Sequence, residues 1–221
     1  MSPTISALVL SAGESRRMSA SRSETGLRQS RETPASPERA MKALLPFGEG
    51  TLLEYQIDSL SSVPEIAEVV VVVGHRHEKL LPLVEGRDGV SAVFNPDYQL
   101  GRASSIRAGL REVSPNADGI LIIGVDQPRP SQVLEWLLAE HLGGSVPITA
   151  PAYRGKRGHP TLFSAALLPE LLAISEERQG LREVMSRHRA EIRNIDFDTP
   201  AVLLDINIQE DYQAALKLLH H

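Results

Sequence analysis

The residues best suited to chemistry sit at the ends of apolar runs. The stretch Ile5 to Leu10 is followed at once by Ser11-Ala12-Gly13-Glu14-Ser15, then by Arg16, Arg17 and Met18. Small residues let the backbone turn sharply and come close to a ligand. Successive N–H groups in such a turn form a concave anion site, to which arginine adds a fixed charge and a bidentate fork. The stretch reads as a phosphate-binding loop after a first strand. A strand and turn carrying two solvated arginines would have the same composition. Neither G-x-G-x-x-G nor G-x-x-x-x-G-K-[ST] is present, so it is neither the dinucleotide fingerprint nor a P-loop.

Two aspartates stand in similar places. Asp126 follows the apolar run Gly119 to Val125, and Asp205 follows Ala201 to Leu204. Mg2+ takes hard oxygen ligands, typically one or two carboxylates plus substrate phosphate oxygens, although a strand-end aspartate also caps turns. Ser104 and Ser105 fall in the first turn of a helix that follows Asn95-Pro96-Asp97-Tyr98. There, hydroxyls and free N–H groups bind an anion or a polar ring edge, or simply cap the helix. His159 lies in a Gly–His–Pro turn, which either presents it to a ligand or pins it. His75 and His77 have nothing nearby to complete a metal set and read as loop residues.

These positions need strands to carry them. The run 67–74 is β-branched without alternation, the pattern of a parallel strand buried on both faces. Further strands are expected at 91–94, 119–125, 146–152, 161–163, 191–195 and 201–204. Helices are expected at 51–61 with Thr51 as cap, near 78–84, from about 102, at 131–141 with Ser131 as cap, and at 165–173, 181–187 and 210–219. Strands alternating with helices predict an α/β fold of three layers, with a mostly parallel sheet covered on both sides. In such sheets ligands bind outside the carboxyl ends of the strands, where the Ser11–Ser15 loop and Asp126 both fall. One domain over 1–221 is expected. It is interrupted at 19–41 by a polar insertion with Pro34 and Pro37, which cannot bury a core. Between Arg16 and Lys42 the cations Arg16, Arg17, Arg22, Arg28, Arg31, Arg39 and Lys42 outnumber Glu24, Glu32 and Glu38. The insertion reads either as passive or as a lid over polyphosphate.

Composition narrows the function. In 221 residues, 42% are hydrophobic and 23% charged, ordinary for a globular protein. The absence of cysteine excludes disulfides, thiolate catalysis and cysteine-based zinc sites. A net charge of −5 argues against broad nucleic-acid binding but leaves room for a local cationic cleft. No apolar run reaches the roughly 18 residues of a membrane span, and no basic segment precedes the first strand as in a secretion signal. A cytoplasmic setting is expected. His220 and His221 are given no function.

Several ordered blocks together resemble the MobA-like nucleotidyltransferases, on the Rossmann-like fold of the nucleotide-diphospho-sugar transferases. Leu10 to Met18 matches L-A-A-G-x-S-x-R-M. Asn95-Pro96-Asp97-Tyr98, Gly101, Ser104-Ser105 and Gly109-Leu110 match N-P-x-[WY] and G-x-x-S-S-[LI]-x-x-G-L. Val125-Asp126-Gln127-Pro128 matches G-D-Q-P with valine for glycine. Arg157-Gly158-His159-Pro160 with Phe163 matches R-G-H-P-x-x-F, and Gly180-Leu181-Arg182 resembles a G-x-R segment. Asp205 to Tyr212 matches D-I-D-T-P-E-D-Y, with Asn207 at the second aspartate.

The resemblance implies attack of a phosphate monoester on the α-phosphorus of a nucleoside triphosphate, with loss of pyrophosphate. The most similar branch is the molybdenum cofactor cytidylyltransferases, with CTP or another NTP and molybdopterin as substrates. In that reading Arg17 and Lys42 offset charge toward pyrophosphate, although Lys42 follows the Arg–Met pair at a greater distance than the family usually shows. Ser11, Ala12, Gly13, Glu14 and Ser15 cradle the nucleotide with Asn95, Ser104 and Ser105. Asp126 and Asp205 hold Mg2+, with Mn2+ as the alternative ion, and Gln127 and His159 face the second substrate. A molybdenum hydroxylase is the implied acceptor of the product. A guanylyltransferase or sugar-phosphate nucleotidyltransferase of the same fold, and a non-catalytic carrier of the cofactor, are the alternatives.

Overall fold

The computed structural model describes residues 3–13 and 41–219. The expectations for Glu14, Ser15, Arg16, Arg17, the insertion up to Ala40 and the two terminal histidines lie outside the described residues. In chain order the elements are β1 (Ile5–Ser11), a hairpin of β2 (Pro46–Phe47) and β3 (Gly50–Thr51), α1 (Leu52–Ser61), β4 (Ile66–Val73), α2 (Leu81–Val84), β5 (Val90–Phe94), α3 (Arg102–Leu110), β6 (Gly119–Gly124), α4 (Ser131–Leu142), β7 (Ile148–Tyr153), β8 (Lys156–Arg157), β9 (Thr161–Ser164), α5 (Leu168–Leu172), α6 (Leu181–Arg187), β10 (Ile192–Asp196) and α7 (Gln209–Leu219).

The main sheet runs β10-β7-β9-β6-β1-β4-β5, with β8 beside β7. β1 is buried along its whole length and pairs in parallel with β4 and β6. Its alternate residues feed two layers. Ile5, Ala7 and Val9 pack with Leu53, Ile57 and Leu60 of α1 and Leu134 and Leu138 of α4. Leu8, Leu10 and Ala12 pack on the other face with Ile106 and Leu110 of α3 and Leu171 of α5. β9 runs antiparallel to both its neighbours, β6 and β7. The sheet is therefore mostly parallel, as expected. Among the described residues no helix is long and apolar enough to cross a membrane.

Local chemistry explains most boundaries. Thr51 starts α1 through a capping box: its backbone N–H donates to the Glu54 carboxylate at 2.8 Å, and its hydroxyl accepts from the Glu54 N–H. Several expectations are corrected. The segment 201–204 is a 3-10 turn, Pro200–Leu203, rather than a strand. Proline supplies no N–H to a ladder, and the Thr199 hydroxyl accepts from the Ala201 N–H to start a turn instead. Ser131 is the first helical residue of α4 and Pro130 precedes it, so Ser131 is not the cap. The helix expected near 78–84 divides into a 3-10 turn, His77–Lys79, and the short α2, and that expected at 165–173 divides likewise before α5. Pro82 and Pro169 stand at these breaks, where their missing N–H fits a helix start.

Candidate active site

The sheet register brings the loops after β1, β4, β5 and β6 to one edge. Leu10 pairs with Gly124, and Ser11 pairs with Val73. Beyond the strands, Val125 N–H donates to Leu10 O, His75 N–H to Ala12 O and Asn95 N–H to Val73 O. Because β9 is antiparallel, its first residue, Thr161, pairs with Ile122 near the same edge. The Gly158–His159–Pro160 turn therefore enters from the opposite direction; its His159–Pro160 peptide is cis. A cavity of about 390 Å³ opens here, lined by Ser11, Ala12 and Gly13, by Lys42, Asp126 and Asn207, and by Tyr98, Arg102 and Ser105.

One of the lining residues is a cation held by oxygen. Lys42 Nζ donates to Asp126 Oδ2 at 2.9 Å and to Asn207 Oδ1 at 3.0 Å. Asp126 reaches it because position 124 is glycine: a Cβ there would lie 2.4 Å from Asp126 Oδ1. The Asp126 carbonyl accepts from Ile206 N–H at 2.8 Å, which fixes the two acidic loops together. Asn207 is aimed by Asp211, whose carboxylate accepts from the N–H groups of Asn207 and Ile208 at the start of α7. Asp205 is exposed, yet its pKa is raised, first by the protein around its carboxyl and then by the charge of Asp126. Lys42, Arg102 and the Asn207 amide pull it back down. Asp126 Oδ2 and Asn207 Oδ1, gathered by one ammonium, are hard oxygens of the kind a divalent cation takes when its remaining ligands come from phosphate and water, whereas Asp205 is not among the residues lining the cavity. Among the described residues no group of three or more His, Asp and Glu is gathered to hold a metal by itself.

Of the residues singled out in the sequence, Ser11, Ala12, Gly13, Lys42, Ser105 and Asp126 line the cavity. Ser11 is buried, and its hydroxyl has no hydrogen-bond partner among the described residues. Asn95 and Ser104 stand behind the wall. The Asn95 amide donates to Ser105 Oγ at 3.0 Å and to Ser104 Oγ at 2.9 Å, and the Ser104 hydroxyl faces the carbonyls of Asp97 and Gly101. Gln127 turns inward, its side-chain oxygen accepting from Gly124 N–H at 2.9 Å. His159 is partly buried, and its pKa falls to about 4, first through burial and then through Arg102 and Arg129. It is therefore neutral at pH 7. His77 stacks on Phe94, with ring centroids 4.2 Å apart.

Three residues escaped the sequence reading. Asn207 looked like a lost carboxylate, but its oxygen does the same work toward Lys42. Arg102 opens α3, where a cation opposes the helix dipole; that misplacement was the available signal. Arg129 is completely buried, and burial lowers its pKa to about 9, so it stays charged at neutral pH. An arginine between two prolines, Pro128 and Pro130, was its only mark in the sequence.

Known proteins resemble this chain over most of its length. Residues 7–192 match the MobA-like NTP transferase domain. The molybdenum cofactor cytidylyltransferase of Escherichia coli K12 is 22% identical over 178 residues, spanning 79% of this chain and 86% of its own. Among solved structures, a nucleotidyl transferase from Methanothermobacter is 26% identical with a TM-score of 0.77, covering 97% of this chain and 96% of its own. Rv0371c of Mycobacterium tuberculosis H37Rv, in a structure described as a complex with manganese, is 22% identical with a TM-score of 0.70, covering 98% and 100%. The extent of the family match, together with the fold, shows that the chain belongs to the MobA-like NTP transferase family.

Proposed function

We propose that this chain, as one domain, is a divalent-metal-dependent CTP:molybdopterin cytidylyltransferase. The observation that carries the reading is the Lys42 ammonium held between Asp126 Oδ2 and Asn207 Oδ1 in a cavity that the Ser11–Gly13 turn also lines. It puts cation-binding oxygens and a backbone suited to phosphate in one cavity. The name of the E. coli relative and the presence of Ala12 in the cavity support cytidylyl transfer. The manganese named for Rv0371c supports a divalent ion, for which Mg2+ is the physiological choice.

In the reaction, an oxygen of the acceptor phosphate forms a bond to the α-phosphorus of CTP. The bond from that phosphorus to the bridging oxygen breaks, and pyrophosphate leaves with the electron pair. A phosphate nucleophile is largely ionised at neutral pH, so no strong general base is required; the work is positioning and charge neutralisation. Asp126 and Asp205 would hold the metal, with the Asn207 amide oxygen beside Asp126, and the metal would supply positive charge to the reacting phosphate. Lys42 exchanges its carboxylate for phosphate oxygens, and Arg17 adds charge toward the leaving group. The Ser11 hydroxyl finds in the nucleotide the partner it otherwise lacks. Neutral His159 offers an N–H without adding charge. The product is passed, in this reading, to a molybdenum hydroxylase in the cytoplasm.

The test is a pyrophosphate-release screen of CTP, GTP, ATP and UTP against molybdopterin and sugar phosphates, with Mg2+ or Mn2+. Release is expected with CTP and molybdopterin. Release only with a sugar phosphate would replace the acceptor, and no release with any pair would overturn the enzymatic reading.

A further inference from the structure

Arg129 lies three residues beyond Asp126, immediately after the Val125–Pro128 block, and it is 0% exposed. Its guanidinium is bound wholly to backbone carbonyls. Nε donates to His159 O at 2.7 Å, Nη1 to Pro128 O at 2.7 Å, and Nη2 to Val202 O at 2.8 Å and Leu204 O at 3.0 Å. Its own carbonyl accepts from the Ser59 hydroxyl of α1. The side chain thus joins three turns: the one that follows Asp126, the one that carries His159, and the one that leads into Asp205. The last two are already pressed together, since a Cβ at Gly158 would lie 2.0 Å from Val202 O.

Burying a cation without a carboxylate in contact is costly, and an apolar side chain of similar volume would brace the same turns more cheaply. What an apolar residue could not do is act on the site above. Both Asp205 and Asp126 interact electrostatically with this guanidinium, Asp205 the more strongly. Five donors in a fixed fork can also reach carbonyls on separate segments simultaneously, which a lysine ammonium cannot match in geometry.

We propose that Arg129 is a positioning residue for the metal-binding carboxylates: it fixes the separation of the Asp126 and Asp205 loops from beneath, touching neither side chain, and thereby sets the affinity for the divalent cation. The proposal rests on the nucleotidyl-transfer reading above. Residues that orient metal ligands without touching the metal typically change affinity about 10–100-fold when replaced.

The experiment titrates Mn2+ by electron paramagnetic resonance, with and without CTP, in the full-length wild type, Arg129→Lys and Ser59→Ala. Arg129→Lys keeps the charge and loses the fork. Its Mn2+ affinity in the presence of CTP should fall about tenfold or more, with metal-free CTP binding within about twofold of wild type. The metal concentration for half-maximal rate should rise while kcat at saturating metal recovers, a split that a purely structural brace would not produce. Ser59→Ala, which removes only the hydroxyl on the Arg129 carbonyl, guards against a lysine variant that fails to fold. It should weaken Mn2+ in the same direction by about threefold, below the range for residues that orient ligands directly. Wild-type Mn2+ affinity in folded Arg129→Lys, or in Ser59→Ala if the lysine variant does not fold, would overturn the assignment and leave the reaction intact. A wild type that binds no Mn2+ with CTP would overturn the metal-dependent reading and this proposal together.

Discussion

The Lys42 ammonium lies 2.9 Å from Asp126 Oδ2, an ion pair between residues 84 positions apart, with the lysine side chain only 11% exposed. A monovalent charge thus already sits on the oxygens assigned to a divalent one, and the two compete. Lys42→Met should bind free Mn2+ more tightly, on the order of tenfold, because a carboxylate left without its cation favours another. It should also turn over far more slowly, having lost a phosphate contact. Calorimetric titration of nucleotide-free protein checks the first half; equal or weaker Mn2+ binding would remove the competition.

Asp126→Ala should retain the fold and lose turnover. The side chain is part-exposed and carries no core packing, whereas a lost metal ligand costs several kcal/mol of transition-state stabilisation, roughly 10²-fold in rate or more. Pyrophosphate release measured beside near-ultraviolet circular dichroism tests this. Near-normal kcat in a folded variant would exclude Asp126 as a metal ligand.

Ala12 is buried and lines the cavity. On the proposed reading, its methyl group narrows the space open to the base toward a single ring. A methyl is worth only about 1–3 kcal/mol of discrimination. Wild-type kcat/KM should favour CTP over GTP, and Ala12→Gly should relax that ratio in part. A wild-type preference for GTP would contradict the role given to Ala12.

Acid should destabilise the protein before its carboxylates titrate. The pKa of His159 is depressed to about 4, chiefly by burial, and burial also lowers that of His141, whose Nδ1 lies 2.9 Å from Thr149 Oγ1. Between pH 6.5 and 4 the unfolded chain binds protons that the folded chain refuses. Stability is therefore complete above about pH 6.5 and falls as pH drops toward 4, by at most about 3 kcal/mol for His159. His188 opposes this: Glu191 and Glu170 raise its pKa, so its contribution is present below pH 6.5 and lost as pH rises through the raised value. Urea unfolding at several pH values should show a shallower acid slope in His159→Gln than in wild type. Parallel slopes would mean that His159 titrates normally.

The sheet was legible because buried parallel strands write themselves as β-branched runs, as at Val69 to Val73, and because loops such as Ser11–Gly13 must end them. Asp126 was legible for the same reason. The interplay of Lys42 with Asn207 was not: 165 residues separate them, and no local pattern encodes their meeting. Arg129 was hidden differently. Arginine is read by default as a surface residue, and only the three converging turns reveal why this one is inside. The Pro200–Leu203 segment misled because its apolar residues pack like a strand while its proline forbids the ladder.

The reversed direction of β9 divides the work of the chain. The parallel strands β1, β4, β5 and β6 bring their loops to the cavity edge in one direction, while the Gly158–Pro160 turn reaches that edge against the grain, from the excursion between β7 and β9. Donor recognition and acceptor recognition, on the proposed reaction, are therefore inherited from separate stretches of sequence. On that reading, substitutions in residues 153–160 act on the acceptor side while the central strand keeps its packing.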